Sequence, residues 1–379
     1  MIKKKHYLNS QIITYLGNKR KLLSPLEAIL IDIKKKLKKD TIVCMDGFAG
    51  SGIVSRLLKE HSSLLVSNDI EPYCTTLNQC YLANQSDIDI NSIHKYIDFV
   101  NNPLNYPNVC SYVKKHYCPE NDDEIKEGER VFYTNENGGI IDNMRYLIEY
   151  KIPPSYQHFV LAPLLVKSSI HANTSGIFNS FYKKNGVGHF GGKNENHLSR
   201  IKKPIHLDYP LFSTNECPVI IKQEDINKLV KTINFEIKQE CFDVVYYDPP
   251  YNKHPYGTFY FMLNVINGWN IHKQVPPNFR GQDNDWFRSK YNSRKYAQTA
   301  LEDLIKHTKS KYILLSYNNR GIIPIDQFKQ ILEKYGTLRS VAVEHKTYNR
   351  LIGQSAYKKR KQSVKPSEYL WILECYAYL

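Results

Sequence analysis

Ten residues constrain this chain more than any others: Phe242-Asp243-Val244-Val245-Tyr246-Tyr247-Asp248-Pro249-Pro250-Tyr251. The run of apolar and aromatic side chains, with two adjacent valines, predicts a strand buried on both faces. Two consecutive prolines must end it, because neither donates to a sheet ladder and each restricts the residue before it. An acid, a stiff backbone and an aromatic ring are thereby set at the carboxyl end of a central strand. Open α/β sheets bind their ligands at that end.

This combination suits methyl transfer to the exocyclic amine of a nucleobase. Such an amine is a poor nucleophile, because its lone pair is delocalised into the ring. The Asp248 carboxylate and the Pro249 carbonyl can each accept one of its N–H bonds, with Pro250 keeping the turn rigid. Holding both hydrogens draws the nitrogen toward tetrahedral geometry and frees the lone pair. The Tyr251 ring can stack on a base swung out of the duplex. A solvent-facing strand-end turn is the plain alternative. Asp-Pro-Pro-Tyr resembles motif IV of the amino-methyltransferases that modify adenine in DNA.

Upstream, Thr41–Asp46 reads as a strand, Gly47-Phe48-Ala49-Gly50-Ser51-Gly52 as a glycine-rich turn, and about 53–60 as a helix. Such a turn lets backbone approach a ligand closely. Asp46-x-Phe48-x-Gly50-x-Gly52 differs from the dinucleotide Gly-x-Gly-x-x-Gly pattern and resembles motif I of methyltransferases. A second strand, Leu64–Asp69, ends in an acid about 20 residues past the turn, where a carboxylate suits ribose hydroxyls. Asp69 is the first choice for that role and Glu71 the second. Capping the helix expected over 72–84 is the alternative role for Asp69, and the two can coexist. Pro218–Lys222, a short strand before Asp225, resembles motif III, in which the acid bonds the cofactor's adenine amine; a helix cap is again the alternative. Near the amino terminus, Tyr15-Leu16-Gly17-Asn18-Lys19 resembles motif X. That likeness implies that Tyr15 packs on the cofactor and Lys19 faces its methionine carboxylate. An ordinary basic helix start, running to about 39, is the other reading.

Charge narrows the partners. The 379 residues carry a formal net charge of +15, which favours a polyanion. Residues 1–40 hold eleven basic against three acidic side chains, and 252–379 hold twenty-one against nine. Lysines 34–36, 38 and 39 read as a solvated face in reach of phosphate. Lys358–Lys361 is a basic tip in a closing hairpin, apt for a duplex backbone. Between these ends, residues 86–215 are neutral, loop-rich and too long for a connection within one sheet; they read as an inserted subdomain. The stretch 267–293 reads as a loop that orders on DNA or as ordinary surface. Eight cysteines without a Cys-x-x-Cys pair or zinc-like histidine spacing read as reduced thiols of a cytoplasmic protein, with no metal site. No signal peptide or membrane span is expected.

Motifs X, I, II, III and IV fall in order over residues 1–85 and 216–379, and the conjunction resembles the Dam-like class of DNA adenine-N6 methyltransferases. Tyr15 stands where that class often has tryptophan, and Asn18 where it often has glycine. The resemblance implies a Rossmann-like fold for those two segments, with a seven-stranded, mostly parallel sheet and a closing antiparallel hairpin. It implies target recognition by 86–215, S-adenosylmethionine as cofactor and double-stranded DNA as substrate. A cognate restriction endonuclease is a further partner that it suggests. Tyr15, Lys19, Asp46, Phe48, Gly50, Gly52, Asp69, Asp225 and Asp248 form the expected cofactor set. An RNA adenine enzyme, a cytosine-N4 enzyme and a non-catalytic DNA-binding relative are the alternatives. Asp248 disfavours the cytosine enzyme, which usually has serine there.

Overall fold

In the computed structural model, which describes residues 2–13, 19–108, 112–344 and 367–378, the chain builds a seven-stranded sheet with helices on both faces. Its strands are β1 (Ile42–Asp46), β2 (Ser62–Asn68), β5 (Val219–Lys222), β6 (Phe242–Tyr247), β7 (Ser310–Asn318), β8 (Gly336–Glu344) and β9 (Ser367–Cys375). Strands β3 (Lys183–Lys184) and β4 (Val187–Gly188) form a separate small hairpin. The main sheet runs β5-β2-β1-β6-β7-β9-β8. Its first five strands are parallel, and β9 enters antiparallel to both β7 and β8. The expected sheet and closing hairpin are both present.

Every residue of β6 is buried, as the continuous apolar run requires of a strand covered on both faces. One face, through Val245, Tyr247, Ile313 and Trp371, packs on helices Ala297–His307 and Ile325–Glu333. The other, through Val244, Tyr246, Leu314 and Leu370, packs on helices Leu23–Leu37 and Ile53–Lys59. The phenols of β6 are satisfied inside the core: Tyr246 pairs with the Ser316 hydroxyl at 2.7 Å and Tyr247 with Thr308 Oγ1 at 2.7 Å. A buried hydroxyl without a partner costs about 1–3 kcal/mol.

Residues 86–215 pack on helices that flank this sheet. Helices Ile90–Asn101, Asn135–Lys151 and Pro154–His171 share one apolar core with helix Pro72–Tyr81 and with helix Phe261–Gly268 beyond β6. Asp142 joins the two parts through hydrogen bonds from Val113 N, Lys114 N and Trp269 Nε1.

Lys35, Lys36, Lys38 and Lys39 are exposed, as the solvated-face reading expects, and one of them is also paired. Lys39 Nζ lies 2.8 Å from Asp243, whose other contacts are Val43 N at 3.0 Å and Lys311 Nζ at 3.1 Å. Both Val43 and Asp243 stand at the starts of their strands, so Lys39 fastens the amino end of the sheet. Ligands are held at the other end. The basic cluster 358–361 and residues 345–350 lie outside the described residues, as do Tyr15 and Asn18.

Candidate active site

Between β1 and β6 the strand order reverses: the chain moves outward through β2 and β5, then returns to place β6 beside β1. Such a switch point leaves a crevice at the carboxyl ends of the strands. Here the crevice is a cleft of about 710 Å³, open mouth included. Its walls include Phe48 and Gly50 from the glycine turn, Asp69 and Glu71 after β2, Asp225 after β5, and Asp248 and Pro250 after β6. Six of the expected site residues thus converge from four strand ends.

The glycine turn is shaped by close approach. A Cβ on Gly47 would strike the Tyr247 ring, and Gly50 and Gly52 have φ of +52° and +77°, a region that favours glycine. Gly52 opens helix Ile53–Lys59 without lining the cleft. Asp69 fixes the turn from the neighbouring strand: Oδ2 accepts from Gly50 N at 2.7 Å and Oδ1 from Glu71 N at 2.9 Å. The cap reading for Asp69 does not hold, because Glu71 occupies the N-cap position and Pro72 begins the helix. Proline at the first helical position needs no N–H. Asp225 does cap its helix, accepting from Lys228 N at 3.3 Å, and also lines the cleft.

Asp46 is buried beneath the turn and receives a 2.7 Å hydrogen bond from Ser55 Oγ. Burial pushes its carboxyl up to about 7, against the pull of Ser55, so it supports the turn from below.

Asn68, Tyr291 and Asn292, not singled out in the sequence, complete the site with Glu71, the second choice for the ribose role. Asn68 ties three strand ends together: its Nδ2 donates to Gly47 O at 3.2 Å and Glu224 O at 3.1 Å, and its Oδ1 accepts from Glu224 N at 3.0 Å. Tyr291 and Asn292 form a wall, so the end of the 267–293 stretch is packed structure. The Tyr291 ring meets Phe48 edge-on at 5.4 Å, and its hydroxyl donates to Asn227 Oδ1 at 2.8 Å. Glu71 Oε2 accepts from Asn264 Nδ2 at 2.7 Å, and burial raises its carboxyl to about 7.

Lys19 is the least expected feature. The motif X likeness gives it a role toward a cofactor carboxylate, yet its buried ammonium is held by two protein carboxylates. Asp248 Oδ1 lies 3.0 Å away, and Glu368 of β9 is its second partner. It also lies 5.5 Å from the centroid of Tyr251. Asp248 is only part-buried, with its side chain 19% exposed. Burial raises its carboxyl to about 6, opposed by Lys19 and reinforced by Glu368. Near neutral pH it is therefore mostly an anion and an acceptor. Pro249 is buried behind it. Tyr251 sits against Tyr317, edge-on at 6.2 Å, and its carbonyl accepts from Ile322 N at 3.0 Å. Neither Tyr251 nor Pro249 is among the cleft-lining residues.

Residues 15–344 match the model of the D12 class N6 adenine-specific DNA methyltransferases. The chain belongs to that family. Among curated relatives, Type II methyltransferase M.NlaIII of Neisseria lactamica is 30% identical over 368 residues, covering 96% of this chain and 99% of its own. Type II methyltransferase M.CviAII of Paramecium bursaria Chlorella virus 1 is 25% identical, covering 89% and 92%. Modification methylase LlaI of Lactococcus lactis subsp. lactis is 26% identical over 88% of this chain, which spans half of that relative's length. As a D12 adenine-specific DNA methyltransferase, the protein acts on adenine rather than cytosine and on DNA rather than RNA. It is an enzyme, not a binding relative. Methyltransferase families use S-adenosylmethionine in general. Among the described residues no helix is long and apolar enough to cross a membrane.

Proposed function

We propose that this D12 methyltransferase binds S-adenosylmethionine in the cleft and methylates an adenine held by Asp248 and the Pro249 carbonyl. The observation that carries this reading is the convergence of Asp69, Asp225 and Asp248 on one cleft beneath a glycine turn. The donor set fits the cofactor: the Gly50 turn admits close backbone approach, Asp69 suits ribose hydroxyls, Asp225 suits an adenine amine, and Phe48 and Ile226 supply apolar walls. When bound, S-adenosylmethionine supplies an electrophilic methyl group on a sulfonium.

The protein's own contribution is orientation. Asp248 and the Pro249 carbonyl accept the two N–H bonds of the target amine and aim its lone pair, while Tyr251 stacks on the flipped ring. Positioning of this kind has a ceiling of about 7–11 kcal/mol. The amine gives up one proton on methylation, and an ionised Asp248 is the acceptor in this reading.

Target recognition falls to residues 86–215, whose β3-β4 hairpin presents Lys183 and Lys184 at the surface. Lys183 Nζ lies 4.5 Å from the centroid of the exposed Phe279 ring, next to Arg280. Cations and aromatic rings together suit base edges and phosphates. In a restriction–modification pair, methylation of the recognition adenine would shield DNA from a cognate endonuclease. Expression in a methylation-free host, followed by base-resolved detection, tests the reading. N6-methyladenine within a fixed sequence context is expected. Unmodified DNA, or N4-methylcytosine in its place, would overturn it.

A further inference from the structure

Glu368 belongs to none of the motifs, yet it is the second partner of the buried ammonium that meets Asp248. It lies at the start of β9, in register with Asn318 at the end of β7, and is 6% exposed. Lys19 arrives from a one-turn helix, Lys19–Leu22, and is itself 4% exposed. The three groups form a row, Asp248–Lys19–Glu368, at the carboxyl end of the sheet.

A lysine paired with Asp248 alone would compete with the substrate. The target amine has to place one N–H bond on a carboxylate whose Oδ1 already meets an ammonium, and a full positive charge is a stronger donor than a neutral amine. A second carboxylate on the same ammonium changes this balance. It shares the positive charge and gives Lys19 a place to stay when Asp248 turns to the base.

We propose that Glu368 is a positioning residue for methyl transfer: it retains Lys19 so that Asp248 is released to the exocyclic amine of the flipped adenine. The inference rests on the proposed role of Asp248. Glu368 acts through Lys19 and does not touch the base.

The same arrangement fixes the acid limb of the rate. Among the described residues, the charged or titratable groups around Asp248 are Lys19 and Glu368, Tyr246 and Tyr251 of its own segment, Asp46 of β1, and Tyr256 of the following helix. Ionised Asp248 is the stronger acceptor for the N–H bond and the form that can take the amine's departing proton. Activity therefore falls as pH drops through its folded value of about 6. Removing the Glu368 charge takes away a like charge and leaves Lys19 to Asp248 alone, so the limb moves to lower pH.

The test is Glu368→Gln in the full-length enzyme, with Glu368→Asp and Asp248→Asn alongside. For Glu368→Gln we expect kcat to fall by tenfold or more, the acid limb to shift downward, and the dissociation constant for S-adenosylmethionine to stay within about twofold by calorimetry. Glu368→Asp, which keeps the charge, should restore the limb toward the wild-type position. A Glu368→Gln enzyme with wild-type kcat and limb would overturn the proposal. So would a rate loss matched by an equal loss of cofactor affinity, or a melting temperature too low for the enzyme to be folded with Glu368→Asp behaving alike at every pH. Wild-type turnover by Asp248→Asn would instead overturn the reading beneath, whatever Glu368→Gln does.

Discussion

Asp248→Ala is expected to lose methylation by about a thousandfold or more while binding S-adenosylmethionine within a few-fold of wild type. The magnitude follows from removing one fixed partner of the reacting group in a preorganised site, typically worth 10²–10³ in rate. Here the loss is compounded, because the Pro249 carbonyl alone cannot hold both N–H bonds of an amine. Truncation should leave the fold intact. Lys19 keeps Glu368 as its partner, so no buried charge is stranded, and Asp248 is only part-buried at the edge of the cleft. Single-turnover methylation of DNA and calorimetric titration of the cofactor, run on the same preparation, separate the two effects. Equal losses in rate and cofactor affinity would make Asp248 a cofactor ligand rather than an amine acceptor.

Asp69→Ala should show the opposite pattern: cofactor affinity falling on the order of a hundredfold, about 2.7 kcal/mol, with turnover at saturating cofactor much less affected. Two losses combine. The carboxylate that suits the ribose hydroxyls disappears, and so does the 2.7 Å anchor on Gly50 N. Gly50 has φ of +52°, a conformation that the turn holds partly through that anchor. Asp69→Asn keeps an acceptor for one amide and should lose less. An Asp69→Ala enzyme with unchanged affinity would remove Asp69 from the cofactor site.

The two variants probe the part of the site that was readable from residues alone. Strand ends were legible because a buried parallel strand is a continuous apolar run, and the first polar residue past it must sit at the rim. That logic finds Asp69 and Asp248 without coordinates; Asp225, three residues past the half-buried β5, is found by the motif III likeness. It cannot find Glu368, which meets Lys19 across 349 residues of sequence. Their contact exists because β9 inserts between β7 and β8 and runs antiparallel, a topology that no local pattern encodes. Asn68 was hidden for another reason. Its side chain bonds backbone at both neighbouring strand ends, and a single asparagine at a strand end is common.

Charge was the weaker guide. The lysine-rich helix end is a solvated face as read, but it lies at the amino end of the sheet, where Lys39 pairs with Asp243. A one-dimensional count of charges does not say which end of a strand they face. The 267–293 stretch is loop as read, but its inward residues were not legible: Tyr291 is 4% exposed against Phe48.

A crystal structure of the enzyme with a non-reactive cofactor analogue and duplex DNA tests the central claim most directly. The predicted result is an extruded adenine whose N6 lies about 2.7–3.2 Å from both an Asp248 carboxylate oxygen and the Pro249 carbonyl, over the Tyr251 ring, with Lys19 retained by Glu368. An adenine bound elsewhere, or an N6 beyond hydrogen-bond reach of both while Lys19 still engages Asp248, would contradict it.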